Sequence, residues 1–207
     1  MPKNDPSVSP AARAAYATAA AAAAAAGAQA GIVYSGAQDI SISQFSSLNL
    51  NLDGDAYGDV LLKNYVFGGT NYQGAAVNFA PGKLVSFASG GLSYVSALSA
   101  GFSINASSVG PSFFGSMAYG NANPNAQFRN ASNAFIGLSF LTGAGTRFGW
   151  VRVSVNNTAG TFTVHDWAYE NSGAGIVAGA IPAPGALGLF AAGASGLGLL
   201  RGRKRAA

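Results

Sequence analysis

Residues 51–59, NLDGDAYGD, concentrate acidic groups in one short stretch of the chain. Asn51, Asp53, Asp55, the Tyr57 carbonyl and Asp59 stand at alternate positions, the order in which oxygen ligands enter the first part of a calcium loop. Several oxygens from one short loop suit a hard cation, because they replace its water shell at little ordering cost. The pattern departs from a full calcium loop at Ala56, where glycine normally makes the turn, and at Leu62, where a bidentate Glu would stand. The same residues also read as an Asp/Gly turn between two strands, with the carboxylates merely solvated.

The other chemistry-bearing residues are sparse. His165, in TFTVHDWAYE, is the sole histidine, which leaves no multi-histidine zinc site. Strand alternation sends His165 and Asp166 to opposite faces, so the two are not expected to converge. Asp166 and Glu170 share a parity, yet four strand positions set them about 13 Å apart, too far for the carboxylate pair of a glycosidase. Gly68-Gly69 and Gly90-Gly91 open no helix carrying Lys and Ser/Thr, so no phosphate cradle is expected. No enzyme is predicted. Exposed aromatics beside Asn could stack on sugar rings, and GTNYQG around Tyr72 reads as a surface loop for that; core packing is their other use.

The elements that must hold these residues are strands. Ile40 and Ile42 alternate in DISISQF, Leu48, Leu50 and Leu52 in SLNLNLD, and Val151, Val153 and Val155 in WVRVSV. Such alternation predicts half-buried strands of a sheet with one wet face. Further runs, VLLKNYVF, AVNF, KLVSFA, YVSAL, FFGSMAYG and AFIGLSFL, are separated by Gly, Asn and Pro clusters. No helix pattern emerges in residues 31–180. The prediction is an all-β body of β-sandwich or jelly-roll type.

Composition narrows the partners. Charged residues make up 9% of the chain and the net charge is +4, but that charge belongs to the ends. Lys63, Lys83, Arg129, Arg147 and Arg152 in the body face a slight excess of acids, so no electrostatic footprint for nucleic acid is present. With no cysteine, disulfides and thiolate chemistry drop out.

The ends carry the most specific signals. Lys3 and Arg13 precede the apolar run Ala14–Ala26, and AQA places Ala28 and Ala30 before Gly31. That order predicts a secretory signal peptide, 1–30, forming a signal helix and cleaved after Ala30 by the export machinery. At the other end, residues 181–207 read IPAPGALGLFAAGASGLGLLRGRKRAA. Pro182-Ala183-Pro184 leads into the uncharged stretch Ala186–Leu200, a single hydrophobic helix of about 22 Å that just spans a bilayer only when Ile181–Gly185 are added, giving about 30 Å. Arg201, Arg203, Lys204 and Arg205 follow as stop-transfer bases.

Pro-x-Pro, a short hydrophobic helix and a terminal basic cluster together resemble the PEP-CTERM sorting signal of exported proteins in biofilm-forming Gram-negative bacteria. The family's usual middle Glu is Ala183 here. FIGLSFLTGAGTRFGWVRVSV followed by FTVHDWAYE is similar to the closing strands of proteins that bear this signal. The resemblance implies transient insertion in the inner membrane, processing by an exosortase-type membrane protease, and release to the cell surface or extracellular matrix. It also implies a structural or adhesive role for the body, residues 31–180, in the exopolysaccharide matrix; a lectin-like, carbohydrate-binding module is the alternative.

Overall fold

Strands form wherever apolar residues alternate. The computed structural model describes residues 31–182, and these are all-β, with no helix among them. The first strands are β1 (Ile32–Tyr34), β2 (Ile40–Ile42), β3 (Ser46–Leu50), β4 (Val60–Phe67) and β5 (Thr70–Val77). Short elements follow: β6 (Lys83–Leu84), β7 (Ser86–Ser89), β8 (Leu92–Val95), β9 (Ser103–Ile104) and β10 (Phe114–Ala118). The chain then makes the long strands β11 (Ala134–Thr142), β12 (Gly145–Asn156) and β13 (Thr161–Glu170), and ends on β14 (Ile176–Val177). The segment predicted as a signal peptide, with Ala28 and Ala30, lies outside the described residues, as do Ala183, Pro184, the predicted hydrophobic helix and the bases Arg201, Arg203, Lys204 and Arg205.

Two six-stranded sheets result. One runs β1-β13-β12-β11-β6 with β2 also paired to β13; the other runs β3-β4-β5-β10-β8-β7. Neighbours are antiparallel except β10 and β8. A separate pair joins β9 to β14. Both sheets contribute to one apolar core: Leu50, Val60, Leu62, Val77 and Met117 from the second meet Ile136, Leu138, Phe140, Val151, Val153 and Val164 from the first. Residues Ile32–Ile181 form a compact unit.

The expectation of one wet face per sheet fails for the first sheet. Phe135, Phe148, Trp150 and Ala168 point away from the shared core and are covered by Val85, Leu98, Ile104, Ile176 and Ala178. Strands β11 and β12 are therefore buried on both faces along part of their length, which is why AFIGLSFL reads as a nearly continuous apolar run. Gly137 allows this second layer to approach: a Cβ there would lie 2.7 Å from both Leu98 and Val85 side-chain carbons.

Two local features differ from the sequence expectation. GTNYQG is not a loop: Gly68 and Gly69, at φ +55° and +76°, make a two-residue hairpin turn, and Tyr72 sits in strand β5 opposite Tyr65. In β13 the register with β12 shifts after Arg152↔Asp166, so that Val153 pairs with Val164 and His165 is left over as a bulge.

Candidate functional site

The loop 51–59 joins β3 to β4, whose last pair is Leu50↔Val60. Its side chains are tied to its own backbone. Gly54 N–H donates to Asn51 Oδ1 at 2.7 Å, Asp55 N–H to Asp53 Oδ1 at 3.1 Å and Tyr57 N–H to Asp55 Oδ1 at 2.6 Å. Asn51 Nδ2 in turn donates to the Asp55 carbonyl at 2.6 Å. These are successive Asx turns, the local bonding that makes Asn and Asp good turn formers. Leu52 is folded beneath the loop at 4% exposure, and so pins it to the core.

The loop's acids do not share one environment. Asp53 and Asp55 lie toward solvent, whereas Asp59 is 3% exposed and its Oδ2 accepts the Leu52 N–H at 2.7 Å. Burial pushes the Asp59 carboxyl up to about 6; the Asp53 and Asp55 charges push the same way, against the Leu52 N–H. Among the described residues, no three His, Asp or Glu side chains gather as a metal site. The expected ligands Asn51, Asp53, Asp55 and Asp59 each already accept a backbone N–H through a side-chain oxygen.

Beside the loop lies a cleft of about 420 Å³, lined by Asp55, Tyr57, Asp59 and Phe79 on one side and by Leu141 and Thr142 of the β11–β12 hairpin on the other. Tyr57 and Phe79 meet edge to face at 5.9 Å and are 65% and 46% exposed. Exposed rings with carboxylates at their edge can stack on the apolar face of a sugar and accept bonds from its hydroxyls. The sequence pointed to Tyr72 for that task. Tyr72 is instead held edge-on between Phe67 and Tyr119 at 5.6 Å from each, and its hydroxyl is raised by burial.

The outer face of the first sheet carries a second polar group, which the sequence reading missed. Arg152 Nε and its Nη2 donate to the two Asp166 oxygens at 2.8 and 2.6 Å, and Tyr34 donates to Oδ2 at 2.8 Å. Burial alone would raise the Asp166 carboxyl, but the Arg152 and Tyr34 hydrogen bonds outweigh it and hold it below the usual range. His165 was expected on the opposite face from Asp166. The bulge overturns this, because the extra residue swings to the same side: His165 bonds Ser154, and Asn133 links Ser154 to Arg152.

No known family model matches this chain, and no curated protein or solved structure does either.

Proposed function

We propose that this chain is an exported β-rich component of the extracellular polymeric matrix, with a body of sandwich or jelly-roll type. A C-terminal exosortase-type signal at Pro182-Ala183-Pro184 sorts it. The observation that carries this is where the compact unit stops: it runs Ile32–Ile181, between the predicted cleavage after Ala30 and the first proline of the tail. Cuts at either point would leave every strand and both apolar clusters of the described residues whole. Pro182 cannot extend a paired strand, so it suits an extended segment that a protease can grip. Mass spectrometry of both termini of the native protein tests the reading. A chain beginning at Gly31 and ending near Ala183 is expected; an intact chain of 207 residues would overturn it.

The cleft favours a second reading, a carbohydrate-binding module of the same matrix. Its support is the pair of exposed rings, Tyr57 and Phe79, set beside Asp55 and Asp59. Binding to the host's own exopolysaccharide should saturate, and Tyr57→Ala should weaken it about tenfold, the effect of losing one stacking ring. Unchanged binding in that variant would exclude the cleft.

A further inference from the structure

On the outer face of the first sheet, three residues from two distant segments form a linear hydrogen-bonded array. Ser154 Oγ lies 2.8 Å from His165 Nε2, and His165 Nδ1 lies 2.7 Å from Asp39 Oδ1. The roles in this array are fixed by chemistry. An ionised carboxylate can only accept, so Nδ1 carries the proton. In the neutral ring Nε2 is then an acceptor, and the Ser154 hydroxyl must donate to it. Asn133 N–H donates to the same Oγ at 3.1 Å, which fills a lone pair without competing for Nε2.

We propose that Ser154, His165 and Asp39 form a nucleophilic site that cleaves short-chain acyl esters. Two departures from local rules converge to build it. Asp39 has φ +48°, a left-handed conformation that non-glycine residues seldom adopt. The backbone N–H groups of Gln38 and Asp39 both reach the His165 carbonyl, at 2.7 and 3.3 Å, so the strained turn is clamped to the bulge that turns out His165. Bulges that re-aim a side chain are concentrated beside active sites. The array is reachable: the Asp39 and His165 side chains are 71% and 21% exposed.

In the reaction, His165 Nε2 takes the Ser154 hydroxyl proton as Oγ bonds to the ester carbonyl carbon. Collapse of the tetrahedral adduct breaks the bond to the alcohol oxygen, which leaves with the proton from Nε2. Water then attacks the acyl–Ser154 ester, again losing its proton to Nε2, and the acid is released as Oγ recovers a proton. The Asn133 N–H, bonded to Oγ, fixes the position of the attacking oxygen. Asp39 acts through His165 and is a positioning residue. Thr163, opposite Ser154 in the register, and Asn133 give the site a polar surround, which suits a small acyl group, so acetyl esters are the substrate class.

The test is p-nitrophenyl acetate hydrolysis by the full chain, with a fluorophosphonate probe mapped by peptide mass spectrometry. Turnover about 100-fold above the Ser154→Ala variant is expected, the usual contribution of a positioned base, together with an adduct on Ser154. His165→Gln should abolish both. Asp39→Asn should lower kcat with little change in KM, and Asp39→Glu should restore part of it. Equal rates in the native protein and Ser154→Ala overturn the proposal. So does a rate that survives Ser154→Ala but not His165→Gln, since the imidazole would then act alone. The failure of this test leaves the sorting reading standing, because that rests on the termini.

Discussion

Asp59 is expected to make the protein less stable at neutral pH than in mild acid. Its carboxyl is raised from 3.8 to about 6, chiefly by burial, so folding favours the protonated form. A raised acid contributes stability that is fully present below its unfolded value and lost as pH rises through the folded one. The rise converts to about 3 kcal/mol, spread between about pH 4 and pH 7. Asp59→Asn keeps an oxygen for the Leu52 N–H and removes the buried charge; after about 1 kcal/mol for the weaker hydrogen bond, the variant should gain about 2 kcal/mol at pH 7. The assay is urea unfolding followed by the fluorescence of Trp150 and Trp167 across that range. Subtracting one protein's curve from the other's cancels every other titrating group. A difference that stays flat with pH would refute the reasoning. Calcium is a second arm of the same assay: binding through ionised Asp59 would stabilise the native protein above pH 6 by RT ln(1 + [Ca]/Kd) and leave Asp59→Asn nearly unmoved, and an unshifted native curve would exclude it.

Other changes probe the packing. Gly137→Ala forces a methyl against Leu98 and Val85 at 2.7 Å and should cost about 1–3 kcal/mol of stability in the same unfolding assay. Arg152→Met strands the nearly buried Asp166 carboxylate and should cost about 2 kcal/mol at pH 7, a figure reduced because Arg152 is a third exposed. The Asp166 carboxyl is lowered in the folded protein, so this stabilisation is present above its unfolded value of 3.8 and fades as pH falls below it; native protein and variant should converge in acid. Trp150 is 1% exposed and its Nε1–H has no hydrogen-bond acceptor among the described residues, although the Phe135 ring meets it edge-on at 5.2 Å. Trp150→Phe should thus cost no more than about 1–2 kcal/mol, less than a tryptophan truncation normally does, because it also removes an unpaired donor; thermal unfolding checks it.

Much of the fold is legible in alternation. Ile40 and Ile42, Leu48 and Leu50, and the three valines of WVRVSV all fall on the faces that alternation assigns, because a half-buried strand leaves a period-two trace. The two-residue strands β9 and β14 leave no such trace, since they pair with each other across a long stretch of sequence and only tertiary packing selects them. The Asp-rich loop was legible as a turn, but the burial of Asp59 was not: it depends on Leu52 folding under the loop. The bulge did leave a signal. In FTVHDWAYE the core-facing residues are Phe162 and Val164 and then Trp167 and Tyr169, so the apolar parity switches at His165-Asp166. That switch marks one inserted residue, and with it the convergence that alternation alone denies.

The pairing of β1 and β2 with β13 sets the order in which the chain can assemble. β3, β4 and β5 are joined by local hairpins and can form as soon as they exist. Ile32 pairs with Glu170 and Ile42 with Phe162, so the first two strands must wait until almost the whole body is present, after a long loop closure. Until then they have no sheet to join, and the layer over Trp150 cannot be completed without Ile176 and Ala178. A chain emerging N-terminus first from the ribosome therefore leaves these two strands unpaired until its last hairpin is made.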